Sequence, residues 1–124
     1  KNKVDVFLPD FKYAENQLAN ELSFAPDYFE IATKAIRTMA QLTGPVQWQG
    51  EKLVKGTVIR HLILPGHVEN SLKVLDWIGN TFAPGEVLVS LMRQYTPMPS
   101  MEPPFDRRIT EEEYQAVLKK RKFR

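Results

Sequence analysis

The chain has 124 residues, 43% of them hydrophobic and 26% charged, which is room and material for one domain around one core. It contains no cysteine, so these residues supply no disulfide framework, CxxC site, thiolate nucleophile or ligand for an iron–sulfur cluster, and two histidines are too few for a His-rich metal site. The formal charge of +2 resides in the tail: Lys119, Lys120, Arg121, Lys122 and Arg124 are basic, and without them acidic residues outnumber basic ones.

A general nucleic-acid-binding surface is therefore not expected, and the tail reads as a solvated helix end. No run approaches the ~18 apolar residues of a membrane span, and no secretory signal leads the chain. The expectation is a soluble cytoplasmic protein with no membrane or nucleic-acid partner.

In chain order, Val4, Val6 and Leu8 alternate with Asp5 and Phe7, predicting a short strand that Pro9 ends. Ala14, Leu18 and Leu22 follow at helical spacing. Tyr28, Ile31, Ala32, Ala35, Ile36 and Met39 then predict a strong amphipathic helix. Pro26 suits its first turn, Asp27 and Glu30 suit a cap, and Gly44-Pro45 stops it. Val46 and Trp48 predict a short strand, 50–52 a turn, and 57–64 a strand apolar at every position except Thr57, Arg60 and His61.

Such a run suits a strand of a parallel sheet buried on both faces. After Pro65-Gly66, Val68, Leu72, Leu75, Ile78 and Phe82 mark a second amphipathic helix, and 87–92 a third core strand. Four of the nine prolines fall in 96–104, a predicted loop. Thr110 and Glu113 form a capping box opening the last helix.

The order β-α-(β)β-α-β-loop-α predicts a parallel α/β architecture of about three parallel strands plus a short extra strand or hairpin. Three parallel strands are too few to close a barrel and leave both sheet edges open, so the chain is expected to be part of something larger. An apolar sheet face left open, or buried by self-association, is a corollary.

Chemistry in such sheets collects at the carboxyl ends of strands. Asp10 and Lys12 are two apart at the first strand end and share a side of an extended segment. They suit a ligand with hydroxyls and a carboxylate, or an ion pair with each other. Arg60 and His61 face opposite ways on the second core strand, and a core arginine demands a partner or a ligand. His61 reads as a satisfied core histidine, His67 as a helix-start residue, and Gln94 as a strand-end hydrogen-bonding group. No nucleophile elbow, glycine-rich phosphate loop or paired carboxylates stand out, and no catalytic residue is assigned. A hydrolase or isomerase using His61 with Arg60 or Asp10 would lack a nucleophile or second acid–base group.

Three runs, Val4-Asp5-Val6-Phe7-Leu8-Pro9-Asp10-Phe11-Lys12-Tyr13, Ile59-Arg60-His61-Leu62-Ile63-Leu64-Pro65-Gly66-His67 and Val89-Ser90-Leu91-Met92-Arg93-Gln94-Tyr95-Thr96-Pro97, resemble the carboxyl-terminal half of radical S-adenosylmethionine proteins of the pyruvate formate-lyase activating enzyme-like group. The resemblance implies a partial (β/α)6 TIM-type barrel, with 1–95 as the carboxyl-terminal half of the barrel and 96–124 as the proline-rich loop, last helix and basic tail.

It further implies an oxidoreductase in which a [4Fe-4S] cluster, held by cysteines of an amino-terminal half, cleaves S-adenosylmethionine to a 5′-deoxyadenosyl radical. In activases that radical abstracts hydrogen from a glycyl radical enzyme. By the same resemblance Asp10 and Lys12 contact S-adenosylmethionine, Arg60 faces the cavity, and Gln94 falls at or beside a position where activases carry histidine. The partners implied are the amino-terminal half and a glycyl radical enzyme, and the 124 residues alone are expected to be inactive. The alternative is a small α/β interaction module that recruits a partner through an open sheet edge.

Overall fold

The computed structural model describes residues 5–97 and 102–121. Val4, the middle of the proline-rich loop and the end of the basic tail lie outside the described residues. In order, the elements are β1 (Val6–Phe7), α1 (Asn16–Ser23), α2 (Tyr28–Thr43), β2 (Gln47–Gln49), β3 (Lys52–Leu62), α3 (Val68–Thr81), β4 (Leu88–Met92) and α4 (Glu111–Arg121). The chain is thus a mixed α/β structure on a four-stranded open sheet. Among the described residues no helix is long and apolar enough to cross a membrane.

β3 is central. β1 runs parallel to it with Val6 opposite Gly56, and β4 runs parallel with Val58 opposite Leu88 through Leu62 opposite Met92. β2 folds back antiparallel on Lys52–Lys55 as a hairpin. The β1 pairing outlasts its two-residue strand. Gly56 donates to the Asp5 carbonyl, Arg60 donates to the Pro9 carbonyl, and Phe11 donates to the Arg60 carbonyl, the last two at 2.8 Å. Gly56 sits at φ +142, where a Cβ would also press on the Val46 backbone at 3.2 Å, so glycine suits this crowded crossing.

Alternation along β3, continued to Ile63 just beyond it, sorts the side chains. Thr57, Ile59, His61 and Ile63 are buried beneath the helices, while Val58, Arg60 and Leu62 are only partly covered. The core joins Phe11, Ile59 and Ile63 of the sheet to Ile36 of α2, Val74, Leu75 and Ile78 of α3, and Val117 of α4. Each such side chain, fully withdrawn from water, contributes roughly 2–3 kcal/mol before the entropy of ordering is charged against it.

Two features of α2 depart from the sequence expectation. Its buried residues are Thr33, Ile36 and Thr43, whereas Ile31 is 67% exposed. The apolar arc is wider than the face this chain buries, and the packed stripe lies to one side of it. Asp27 also makes no capping hydrogen bond, its backbone (φ −104, ψ 21) being outside the extended region that aims a cap side chain. Asn16 of α1 does the work instead, accepting from the Phe29 amide at 2.8 Å and donating to Glu30. The capping box on α4 forms as the spacing predicts, with Thr110 N–H donating to Glu113 and Glu113 N–H donating to Thr110 Oγ1.

Candidate functional site

The face of the sheet away from the helix-covered core is apolar with one polar row across it. Leu8 is 56% exposed there, and Val58, Leu62, Leu88 and Met92 are half-buried. Between them the register brings Asp10, Arg60 and Ser90 abreast on three adjacent parallel strands. Parallel pairing keeps one level of the sheet on one side, so a carboxylate, a guanidinium and a hydroxyl come from 80 residues of chain into one line.

Asp10 Oδ1 stands 3.0 Å from Arg60 Nε, with the two side chains 46% and 41% exposed. Arg60 Nε is itself buried and makes no aligned hydrogen bond, so the carboxylate approaches off the N–H axis and the contact is Coulombic. Solvated ion pairs of this kind contribute about 0–1 kcal/mol. The row therefore adds little to folding and leaves donors and acceptors facing outward.

Lys12 is not Asp10's partner, which is Arg60; among the described residues the Lys12 ammonium enters no ion pair. Its backbone, by contrast, is held tightly. The Lys12 amide donates to the Tyr28 hydroxyl at 2.8 Å, and Asn70 Nδ2 donates to the Lys12 carbonyl at 2.9 Å. Asn70 Oδ1 also accepts from the Ala14 amide. Burial raises the Tyr28 phenol above its usual range, so it stays protonated and donates to the Asp10 carbonyl. Gln94 is exposed in the loop beyond β4 and is not joined to the row.

His61 is a structural residue. Its Nδ1 lies 2.7 Å from the Phe11 carbonyl, which only accepts, so Nδ1 carries the proton and Nε2 accepts from Ser71 Oγ at 2.7 Å. Burial holds its pKa below 6.5 and keeps the ring neutral. Because His61 faces the helices, Ser90 has no imidazole beside it and is a hydrogen-bonding group, not an activated nucleophile.

No family model and no solved structure matches the chain. It is 30% identical over 123 residues to an uncharacterized protein of Methanocaldococcus jannaschii. That alignment takes in 95% of this chain and 31% of the other, so the chain spans about a third of the length of the curated relative it matches.

Over the carboxyl ends of the strands lies an aromatic wall. Tyr13, Leu18, Ala19 and Leu64 form a second buried cluster with Leu62, Tyr95 and Phe105 against it. The segment after the proline-rich loop is fastened there: Tyr95 donates its hydroxyl to the Phe105 carbonyl, and His67 stacks on Phe105 with centroids 5.2 Å apart. Gly66, at φ +75, leaves room for Pro104, which a Cβ would meet at 2.4 Å. Glu113 secures the same corner, accepting from the Gly66 amide and pairing with Arg107, and these contacts hold its carboxyl at about 2.

Ser90, Tyr28 and Asn70 are the site residues that the sequence reading did not single out. Ser90 carried a usable signal, since it sits mid-strand in an apolar run as Arg60 does. Asn70 carried one as well, standing four and eight residues before the buried Val74 and Ile78.

Proposed function

We propose that the chain is the carboxyl-terminal part of a radical S-adenosylmethionine enzyme similar to pyruvate formate-lyase activating enzymes, with β1, β3 and β4 as three successive strands of a partial (β/α)6 barrel. The observation that carries the reading is the Asp10–Arg60–Ser90 row on the helix-free face of strands that lie side by side in chain order. The three ordered sequence runs support it. So does the match to a much longer protein.

The residues fit a ligand with an α-carboxylate, an amine and ribose hydroxyls. The Arg60 side chain is 41% exposed on this face, and the part of a guanidinium left open to solvent suits a carboxylate. Asp10 suits hydroxyls or an amine, and two hydrogen bonds to the Lys12 backbone anchor the root of its flexible side chain beside Asp10. Leu62 and the aromatic wall exclude water on one side. S-adenosylmethionine, bound with a reduced [4Fe-4S] cluster, supplies one-electron hydrogen-abstraction chemistry. The cluster finds no ligand here, because the sequence has no cysteine; its thiolates belong to polypeptide outside these residues. The role of this chain is to bind and orient. A glycyl radical enzyme is the partner this reading assigns.

The test is S-adenosylmethionine binding to the longer protein that contains this chain, reconstituted anaerobically. Arg60→Met and Asp10→Asn should each weaken binding by about tenfold or more with the cluster content unchanged. Unchanged affinity in both variants overturns the proposal.

A further inference from the structure

The segment leading out of β1 changes how it is held at Phe11. Up to that point the sheet holds it. Arg60 N–H donates to the Pro9 carbonyl and Phe11 N–H donates to the Arg60 carbonyl, so backbone rungs fasten Asp10 on either side. Phe11 N–H is the last such rung to β3 among the described residues. His61 Nδ1 then takes the Phe11 carbonyl at 2.7 Å. Lys12 lies one step past the ladder, in backbone that belongs to no strand.

Two side chains from the first turns of α2 and α3 take over there. The Tyr28 hydroxyl accepts from the Lys12 amide at 2.8 Å and donates to the Asp10 carbonyl. Asn70 donates to the Lys12 carbonyl at 2.9 Å and accepts from the Ala14 amide at 2.7 Å. Both backbone groups of Lys12 are thus met by side chains of the helix layer. Phe11 and Tyr13, on either side, are buried, Phe11 edge-on to Trp77 and Tyr13 edge-on to Tyr28. Alternation then leaves Lys12 exposed, as Asp10 is, and its ammonium enters no ion pair among the described residues.

We infer that Tyr28 and Asn70 are positioning residues of Lys12, replacing the sheet hydrogen bonds that Asp10 has and Lys12 lacks, so that the Lys12 side chain starts from the ligand-facing side. A lysine stem is flexible, and no contact at its root fixes the charged tip. What the root decides is the side of the segment from which the tip searches. A turned Lys12 peptide would begin that search elsewhere, and the cost of turning it back would come out of ligand affinity. Asn70 is buried and uses its donor and its acceptor on this one segment, whereas filling space between α3 and the segment calls for no polar atom. The inference rests on reading the open face as an S-adenosylmethionine site. It separates two neighbours that this reading treats together: the sheet places Asp10, and the helices place Lys12.

A double-mutant cycle in the longer protein that contains this chain, reconstituted with its cluster, tests the division. Tyr28→Phe keeps the ring that packs on Phe11 and Tyr13 and removes only the hydroxyl. Lys12→Met keeps the stem and removes the charge. Each should weaken S-adenosylmethionine binding by about fivefold with cluster content unchanged. Combined, they should bind little worse than Lys12→Met alone, because the positioning group then has no charge to position. In an Asp10→Asn background Tyr28→Phe should keep its full effect. Asn70→Ala, read in the same cycle, should repeat the pattern, and Tyr28→Phe carries the test by itself because it removes a single heavy atom.

Unchanged affinity in Tyr28→Phe overturns the inference. So do losses that add in full with both Lys12→Met and Asp10→Asn, which is what a general loosening of the fold produces, and so does coupling to Asp10 as large as coupling to Lys12. Unchanged affinity in Lys12→Met, with Arg60→Met and Asp10→Asn weakened, sinks this inference alone and leaves the S-adenosylmethionine reading standing. Unchanged affinity in Arg60→Met and Asp10→Asn sinks that reading, and this inference with it.

Discussion

Neighbouring residues of β3 live in two solvents. Thr57, Ile59, His61 and Ile63 point into a helix-covered layer where every polar group is matched: Thr57 with Thr43, and His61 with Phe11 and Ser71. Val58, Arg60 and Leu62 point to a half-covered face where a guanidinium nitrogen lacks an aligned acceptor. The first face is built for folding, because an unmatched polar group there would cost about 1–3 kcal/mol. The second adds less to folding, because the Arg60 and Asp10 side chains on it stay 41% and 46% exposed.

The sharpest way to break this comparison is to truncate each face in turn. Ile59→Ala removes a side chain with no exposed surface and leaves a cavity, and should cost about 3 kcal/mol in urea unfolding. Val58→Ala, one residue away on the half-covered face, should cost less than about 1 kcal/mol. Equal losses would mean that both faces are core.

Next in size is His61. Replacing it with alanine strands the Phe11 carbonyl, for an expected loss of about 2 kcal/mol. The pH dependence follows from the direction of its shift. Its folded pKa is held below 6.5, so below that pH the unfolded chain binds the extra proton first. Stability is full above about pH 6.5 and falls as the pH drops toward the folded value. A Tm series across that window should show the decline in the parent chain and lose that component in His61→Gln.

These contrasts were partly legible in the sequence. Alternation assigns Arg60 and His61 to opposite faces without a structure, and the apolar run of β3 marks it as a core strand. Period alone did not reveal how the arc of α2 divides between a packed stripe and a bare one, since Ile31 and Ile36 look alike until a neighbour covers one of them. Nor did it place Asp10 beside Arg60 instead of Lys12. That pairing comes from the register between strands 50 residues apart, a long-range fact that local spacing does not carry.

Smaller again is the corner that ties α4 to the turn after β3. Glu113 accepts from the Gly66 and Thr110 amides and pairs with Arg107, so Glu113→Gln should cost about 1 kcal/mol in chemical denaturation. Its carboxyl is shifted in the same direction as the His61 imidazole, downward, although here the fold favours the charged form. The stability it supplies is present above pH 4.5 and is lost as the pH falls toward about 2. A Glu113→Gln chain should lack that acid limb while keeping the one near pH 6.5.

The smallest effect belongs to the row itself, and its smallness is the point. Asp10 and Arg60 are each more than two-fifths exposed, and their contact is off the hydrogen-bond axis. Asp10→Asn keeps the shape and removes the charge, and should shift unfolding free energy by no more than about 0.5 kcal/mol, with little dependence on salt. Ser90→Ala should behave alike, since its hydroxyl stands on the same open level. A loss above about 1.5 kcal/mol for Asp10→Asn would place the pair in the folding layer and remove the physical basis for assigning this face to a ligand. Near-neutral stability, with affinity lost in the longer protein, is the pattern of residues kept for what they hold.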